Sequence, residues 1–382
     1  MGYYSLPVIL LYNDISDIIK LEHAPLKEII PCINKTLSKY INDAKCHIDN
    51  REVEWSKIKK YTNPYEYIHT CIPNTKTSIC KLKPISRSFY KMIEISNVMG
   101  ILDTLPKDNC KTFHFAEGPG GFIEAIAYNR KNNNDRYLGM SLINDNNHSI
   151  PGWKKSKLFL ETHPNVSIWS GFTKDGDMLK AVNLKQCFLQ HSKSCDIVTG
   201  DGGFDFAIGY SHQEQLSLKL VFAQCAYAMA CQKKGGHFVL KVYDLYTQAS
   251  IDILYLLSCV YKEVYIYKPY TSRCANSEKY IICKDFQVTC SKQIVTSMFN
   301  ILTSFVKDKH PSRFITIDIP YKFVCAVQEI NAILGQGQLE CIYSTITLMN
   351  NIFPSNLDHI NKHHINKCIT WCQKYKLPYN IF

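Results

Sequence analysis

Between about residues 111 and 284, short apolar runs alternate with longer amphipathic ones, the pattern of a parallel sheet covered by helices. The runs predict strands at 112–116 (TFHFA), 137–142 (YLGMSL), 166–171 (VSIWSG), 195–200 (CDIVTG), 236–243 (GHFVLKVY), 263–269 (EVYIYKP) and 279–284 (KYIICK). Helices are predicted between them at 121–130, 177–190, 213–232 and 247–259. The third is mostly apolar in its second half, as suits a helix packed on the sheet centre. The last two strands are linked through KPYTSRCANSE (268–278), too short for a crossover helix, so they are expected to pair antiparallel as a terminal hairpin. A reversed last strand separates this sheet from a dinucleotide-binding one.

The flanks read differently. Residues 1–84 are an Ile-, Lys- and Asn-rich extension with weak periodicity, and its early run SLPVILLY suits a buried strand rather than a signal peptide. Beyond 285 come helical stretches, among them SKQIVTSMFNILTSFVK with apolar spacing near 3.6. Three parts are therefore expected: 1–84, a central domain 85–285, and a mainly helical 286–382. With 382 residues, 46% hydrophobic, one sizeable core with docked extensions is favoured over independent units.

A formal charge of +11 favours a polyanionic partner. The 17 cysteines form no CxxC pair, which argues against a disulfide framework or zinc ribbon and for a reducing compartment. In the tail, His359, His363, His364, Cys368 and Cys372 share a helix with Ile360, Ile365, Ile369 and Trp371, so packing accounts for them and no metal is expected. MGYYSL lacks the Ser or Thr of a myristoylation signal at Leu6, and no window is long enough to span a membrane. A soluble intracellular protein, cytoplasmic or nuclear, is expected.

Chemistry concentrates in five short segments. EGPGGF (117–122) follows the first strand of the central pattern, where Gly118, Gly120 and Gly121 let the backbone approach a ligand and the next helix offers free N–H groups to an anionic end. The dinucleotide fingerprint GxGxxG with a later acid is absent. SRSFYK, DIVTGDGGF, GGHFVLKVYD and TSRCANSEKY contribute Lys91, Asp201, Lys241 and Glu278. Lys241 ends a strand inside the apolar run FVLKVY and needs partners, for which Asp201 at the end of the preceding strand is placed. Two lysines with two acids can orient an amine and tune its proton affinity, as removal of a proton from an alcohol demands.

In this Lys-Asp-Lys-Glu order the chain resembles the FtsJ-like ribose 2′-O-methyltransferases, and within them the cap-specific mRNA enzymes. NPYEYI (63–68), GPGGFIE, GMSL, DGDM, GDGGF, QEQLSLKLVFAQ, KKGGHFVLKVYDL and KPYTSRCANSEKYIICK carry the likeness over about residues 55–285. It implies a class I S-adenosylmethionine-dependent α/β fold, a Rossmann-like seven-stranded sheet with a reversed last strand. Lys241 would be the general base, aligned and tuned by Lys91, Asp201 and Glu278. Ser86, Ala116, Glu117, Gly118, Pro119, Gly120, Gly121 and Phe122 would lie by S-adenosylmethionine. In the loop SGFTKDGDML, where this class holds the adenine, Asp177 is preferred to Asp175, although a polar turn capping a helix fits these residues equally.

The implied partner is a capped mRNA 5′ end, converted from cap-0 to cap-1, with other capping enzymes as candidate neighbours. A ribosomal or other structured-RNA enzyme and an inactive RNA-binding scaffold are the alternatives. Two positions depart from the family: His114 stands where many relatives carry aspartate, and Glu117 occupies a small-residue position. For the cap and RNA, the aromatic Tyr65 and Trp153 and the basic Lys59, Lys60 and Lys154 are candidates, with Ser211 near a substrate-side asparagine of some cap enzymes.

Overall fold

The computed structural model describes residues 2–9, 14–49, 51–144, 150, 152–203, 212–288, 290–351 and 354–382. Within them are strands β1 (Tyr3–Ser5), β2 (Ile19–Ala24), β3 (Lys111–Phe115), β4 (Arg136–Met140), β5 (Val166–Ile168), β6 (Cys195–Gly200), β7 (Gln232–Val242), β8 (Tyr261–Tyr267), β9 (Lys279–Phe286) and β10 (His310–Ile315). The α-helices are α1 (Ile15–Ile18), α2 (Lys35–Asp49), α3 (Glu52–Thr62), α4 (Ser88–Met99), α5 (Gly121–Arg130) and α6 (Lys157–Thr162) in the first half. In the second half they are α7 (Ala181–His191), α8 (Gln213–Cys231), α9 (Gln248–Val260), α10 (Lys292–Thr303), α11 (Tyr321–Asn350) and α12 (Pro354–Lys374).

Eight strands form one sheet in the order β1-β8-β9-β7-β6-β3-β4-β5. β3 to β7 run parallel, β9 is antiparallel to β7, and β8 is antiparallel to β9. All seven predicted central strands are present, the last one reversed, and the extension adds β1 to the edge, Tyr3 facing Tyr267. That edge strand precedes most of SLPVILLY: only Ser5 of the run lies in it. β5 stops at Ile168 because the chain turns away at Gly171, whose φ is +75°. α7 begins four residues later than predicted because the polar side chains of 173–177 hold a turn first, with Asp177 accepting the amide of Leu179 at 2.9 Å.

α8 is buried along nearly its whole length, since one side rests on the sheet and the other is covered by the C-terminal extension. There Phe222 stacks on Phe314 of β10 at 4.5 Å, and β10 pairs with β2 of the N-terminal extension. On the opposite face of the sheet, α4 and α5 pack with Tyr67, Ile68 and Trp371 of α12. The tail then crosses residues 79–81, Lys81 N–H meeting Pro378 O at 2.9 Å and Asn380 N–H meeting Ile79 O at 2.8 Å. Both extensions thus share the core of the central sheet.

Candidate active site at the carboxyl ends of the strands

The order of the sheet reverses between β3 and β6, and an open α/β sheet offers its crevice at such a point. Beyond β3 the chain turns sharply, with φ +52° at Ala116 and +110° at Gly120, the residue that caps α5. A Cβ on Gly118 would lie 2.4 Å from the carbonyl oxygen of Gly152, and one on Gly121 2.2 Å from Ser88 Oγ and 3.1 Å from Ser86 Cβ. Glycine is required at both positions by close packing. The same contacts set Ser86 against the turn and orient α4, which carries Lys91. Ser156 Oγ donates to the carbonyl of Pro119 from the other side. Glu117 Oε1 accepts the N–H of Phe122, while its Oε2 is buried without a hydrogen-bond partner among the described residues.

From the end of β6, Asp201 faces Lys241 of β7, with Nζ 3.2 Å from Oδ1 and 2.7 Å from the Asp201 carbonyl. From α4, Lys91 Nζ lies 2.6 Å from Glu278 Oε1. The structure brings all four predicted polar residues together as two buried ion pairs, and Tyr280 links them: its hydroxyl stands 3.2 Å from Asp201 Oδ1 and 3.2 Å from Glu278 Oε1. Ser272 Oγ gives Glu278 a further hydrogen bond at 3.0 Å. Burial pushes the two lysines down and Glu278 up, and the pairing opposes it. Lys241 is held above the ordinary lysine range by Asp201, and Glu278 is held well below the carboxylate range by Lys91 and Lys241. At Lys91 burial prevails, and its pKa is lowered despite Glu278.

The loop 268–278 that presents Glu278 is pinned from three directions. Glu94 of α4, fully buried, accepts the amides of Tyr270 (2.7 Å) and Thr271 (3.1 Å), the hydroxyls of Thr271 and Tyr267, and the indole N–H of Trp371. Glu66 of the NPYEYI segment receives Arg273 through Nε at 3.0 Å and Nη2 at 2.6 Å. Ser277 Oγ donates to Gln213 of α8 at 2.9 Å. Sequence reading missed Tyr280, Ser272 and Glu94. Tyr280 had a usable signal, since it lies two residues after Glu278 and so on the same face of the strand. Glu94, one helical turn after Lys91, had none beyond its spacing.

Residues 84–286 match the model of the FtsJ-like methyltransferases. The chain belongs to this family. A cap-specific mRNA (nucleoside-2′-O-)-methyltransferase 1 of Ailuropoda melanoleuca is 30% identical over 255 residues, covering 62% of this chain and 29% of that protein. A cap-specific mRNA (nucleoside-2′-O-)-methyltransferase 2 of Danio rerio is 27% identical over 333 residues, covering 82% of this chain and 43% of that protein. The chain therefore spans between a quarter and a half of the length of these relatives. A solved rRNA methylase of Streptococcus thermophilus, 11% identical with a TM-score of 0.31, overlies 54% of this chain and 99% of its own, too distant a likeness to argue from.

Methyl donor of this FtsJ-like methyltransferase is S-adenosylmethionine, and the crevice suits it. The close-packed glycine turn holds the backbone of 118–121 at the crevice, and the Glu117 oxygen left without a partner among the described residues supplies a buried acceptor. Gly176 packs on the end of β4, where a Cβ would lie 1.9 Å from Ser141 O. This sets Asp177 beside that strand end, half-buried, while Asp175 is already occupied by Lys180 and Thr173. His114, buried in β3, is held between the hydroxyls of Thr112 and Thr199 at 2.8 Å each, and burial lowers its pKa to about 3. It is a neutral core residue, not a ligand-facing one.

The cap and RNA candidates scatter. Lys59 lines a cavity of about 270 Å³ with Trp55, Lys45, Arg273, Gln213 and Tyr243, adjoining the Glu278 loop. Lys60 is exposed on α3. Tyr65 packs its ring on Tyr270 at 5.2 Å. Trp153 lies on the cofactor side, where its ring fills the space a Cβ on Gly139 would need, at 2.4 Å. Lys154 is exposed near Asn144. Ser211 lies outside the described residues. Among the described residues no group of three or more His, Cys, Asp or Glu side chains could hold a metal ion, and no helix is long and apolar enough to cross a membrane.

Proposed function

We propose that the chain methylates the 2′-hydroxyl of the first transcribed nucleotide of a capped mRNA, converting cap-0 to cap-1. The observation that carries this reading is the pair of buried ion pairs joined through Tyr280 beside a glycine turn. S-adenosylmethionine, when bound at the glycine turn, would supply the electrophilic methyl carbon for a ribose oxygen. Lys241 takes the hydroxyl proton, Asp201 orients its Nζ, and Lys91 with Glu278 fixes the charge around it. Gly203 keeps the approach to the amine open: a Cβ there would lie 3.2 Å from Lys241 Nζ. Because Asp201 favours the ammonium form, Lys241 must shed a proton before it accepts one.

Ser86, Ala116 to Phe122 and Asp177 hold the cofactor in this reading. The cavity beside Lys59 and Trp55 receives the cap side of the substrate, an aromatic face and cations being suited to a positively charged base carried on a phosphate chain. The names of the similar proteins support the cap substrate. Residues 1–84 and 286–382 form extensions of a catalytic domain 85–285, and capping enzymes are candidate partners. Methyl transfer from labelled S-adenosylmethionine into matched capped and uncapped RNAs, with Lys241→Ala beside the wild type, tests the reading. Cap-dependent ribose labelling lost in the variant supports it, and equal labelling of uncapped RNA overturns it.

A further inference from the structure

Glu117 is the buried ionisable group at the glycine turn to which the proton transfer gives no task. It is 3% exposed. One oxygen is fixed by the N–H of Phe122 in the first turn of α5, and the other has no hydrogen-bond partner among the described residues. The groups that face it are the amides of Phe122 and Ile123 from α5, Asp201 from the end of β6 and Lys241 from β7. Asp201 and Lys241 already neutralise one another at 3.2 Å, so neither supplies Glu117 with a counter-ion. Burial, helped by Asp201, raises its pKa well above the ordinary carboxylate value, which favours the neutral acid. A carboxylic acid kept dry, anchored by one oxygen and open at the other, lacks a cation. The strand position occupied by His114 cannot provide an acid in its place, since that imidazole is closed off between two threonines.

We propose that Glu117 receives the ammonium group of the methionine moiety of S-adenosylmethionine and releases its own proton to solvent as it does so. The inference rests on the methyl-donor part of the function proposed above, not on the RNA acceptor. The balance is simple: the acid loses one proton, the ligand keeps its ammonium, and a buried ion pair forms where a neutral acid stood. Cofactor binding is thereby coupled to the uptake of negative charge at a turn next to the catalytic pairs.

Titration calorimetry with S-adenosylhomocysteine at pH 6.5, where the ligand amine is already protonated, tests this in buffers of differing ionisation enthalpy. The wild type is expected to release about one proton per ligand bound. Glu117→Gln, equal in shape and unable to ionise, is expected to bind at least about tenfold more weakly, with the buffer dependence gone. 5′-Methylthioadenosine, which lacks the amino acid moiety, should bind both proteins alike. Binding without proton release, or equal S-adenosylhomocysteine affinity in the variant, overturns the proposal. Loss of methylthioadenosine affinity as well would make Glu117 a prop of the turn and overturn it too. A wild type that binds neither ligand would instead remove the methyl-transfer reading beneath it.

Discussion

Tyr280 stands directly opposite Lys241 in the antiparallel pairing of β7 and β9, so both side chains rise on the same face of the sheet. From there the Tyr280 hydroxyl touches the carboxylate partners of both catalytic lysine candidates, Asp201 and Glu278. Its pKa is raised far above the ordinary tyrosine value by burial and by those two acids, so it remains a donor. With one proton it serves one carboxylate at a time, and it ties the two ion pairs into a single network. Tyr280→Phe should leave the fold intact and lower kcat roughly tenfold to a hundredfold, the worth of a hydrogen bond to a charged group. Single-turnover rates with saturating cofactor, set beside a melting curve, check both halves of that expectation.

The raised pKa of Lys241 gives the methyl-transfer step a definite pH dependence. The amine acts only when deprotonated, and its folded pKa lies above the ordinary lysine value. The base form is therefore scarce at neutral pH, and the rate should rise about tenfold per pH unit between about pH 7 and 9. Lys241→Arg keeps the charge but cannot lose the proton, so it should bind cofactor and fail to transfer. Lys241→Ala should lose about 10²- to 10⁴-fold in rate. A flat pH–rate profile for the chemical step, measured by rapid quench, would remove Lys241 from the role of base.

Glu66 makes an acid-stability prediction. Burial would raise its pKa, yet the Arg273 guanidinium holds it down to about 2, from an ordinary 4.5. A carboxyl depressed in the folded state stabilises above its unfolded value, and that stability is lost as pH falls through the folded one. The window is therefore about pH 4.5 down to 2, with a stake of about 3 kcal/mol. Glu66→Gln should be destabilised by about that amount at pH 7 and lose less on acidification. Denaturant melts of both proteins at pH 7, 4 and 3 make the comparison.

Lys59 is half-buried beside Arg273, its pKa lowered by burial and by that neighbour, and it lines the cavity next to the Glu278 loop. If phosphates of the substrate reach that cavity, Lys59→Ala should weaken capped RNA several-fold and reduce the slope of log affinity against log salt by about 0.7. S-adenosylhomocysteine affinity should stay unchanged. Lys60→Ala, removing an exposed charge from the same helix, should change the salt slope by less. Fluorescence anisotropy at several salt concentrations distinguishes the two lysines.

Much of this architecture is written in short-range pattern. The seven central strands and the reversed last one were legible because strand period depends on neighbours in sequence, and Asp201, Lys241 and Glu278 because they fall at strand ends, whereas Lys91, on α4, was legible only through the order of the family's motifs. What escaped were contacts whose partners lie far apart in the chain. Tyr280 shares a strand face with Glu278 in sequence, but its place opposite Lys241 shows only when β9 is set in register against β7. Trp153 reads as a candidate stacking platform until its ring is found filling the space above Gly139. Glu94 looks like a surface charge on a helix, yet every group it receives, from Tyr267, Tyr270, Thr271 and Trp371, is more than 170 positions away. The helix capping turn at Asp177 and the ligand-holding role were both compatible with the sequence, and the carboxylate is seen engaged in the turn through one oxygen.

The convergence on Glu94 and Glu66 also decides how this molecule comes apart. The amides of Tyr270 and Thr271 are closed against the fully buried carboxylate of Glu94 on α4, which gathers five hydrogen bonds in all from β8, the 268–278 loop and α12. Segments separated by as much as 277 residues therefore open together or not at all, as one cooperative unit. Those two amides should exchange with deuterium only when the whole domain unfolds. A protease should find no foothold in the loop that carries Glu278, although most loops of its length are nicked first.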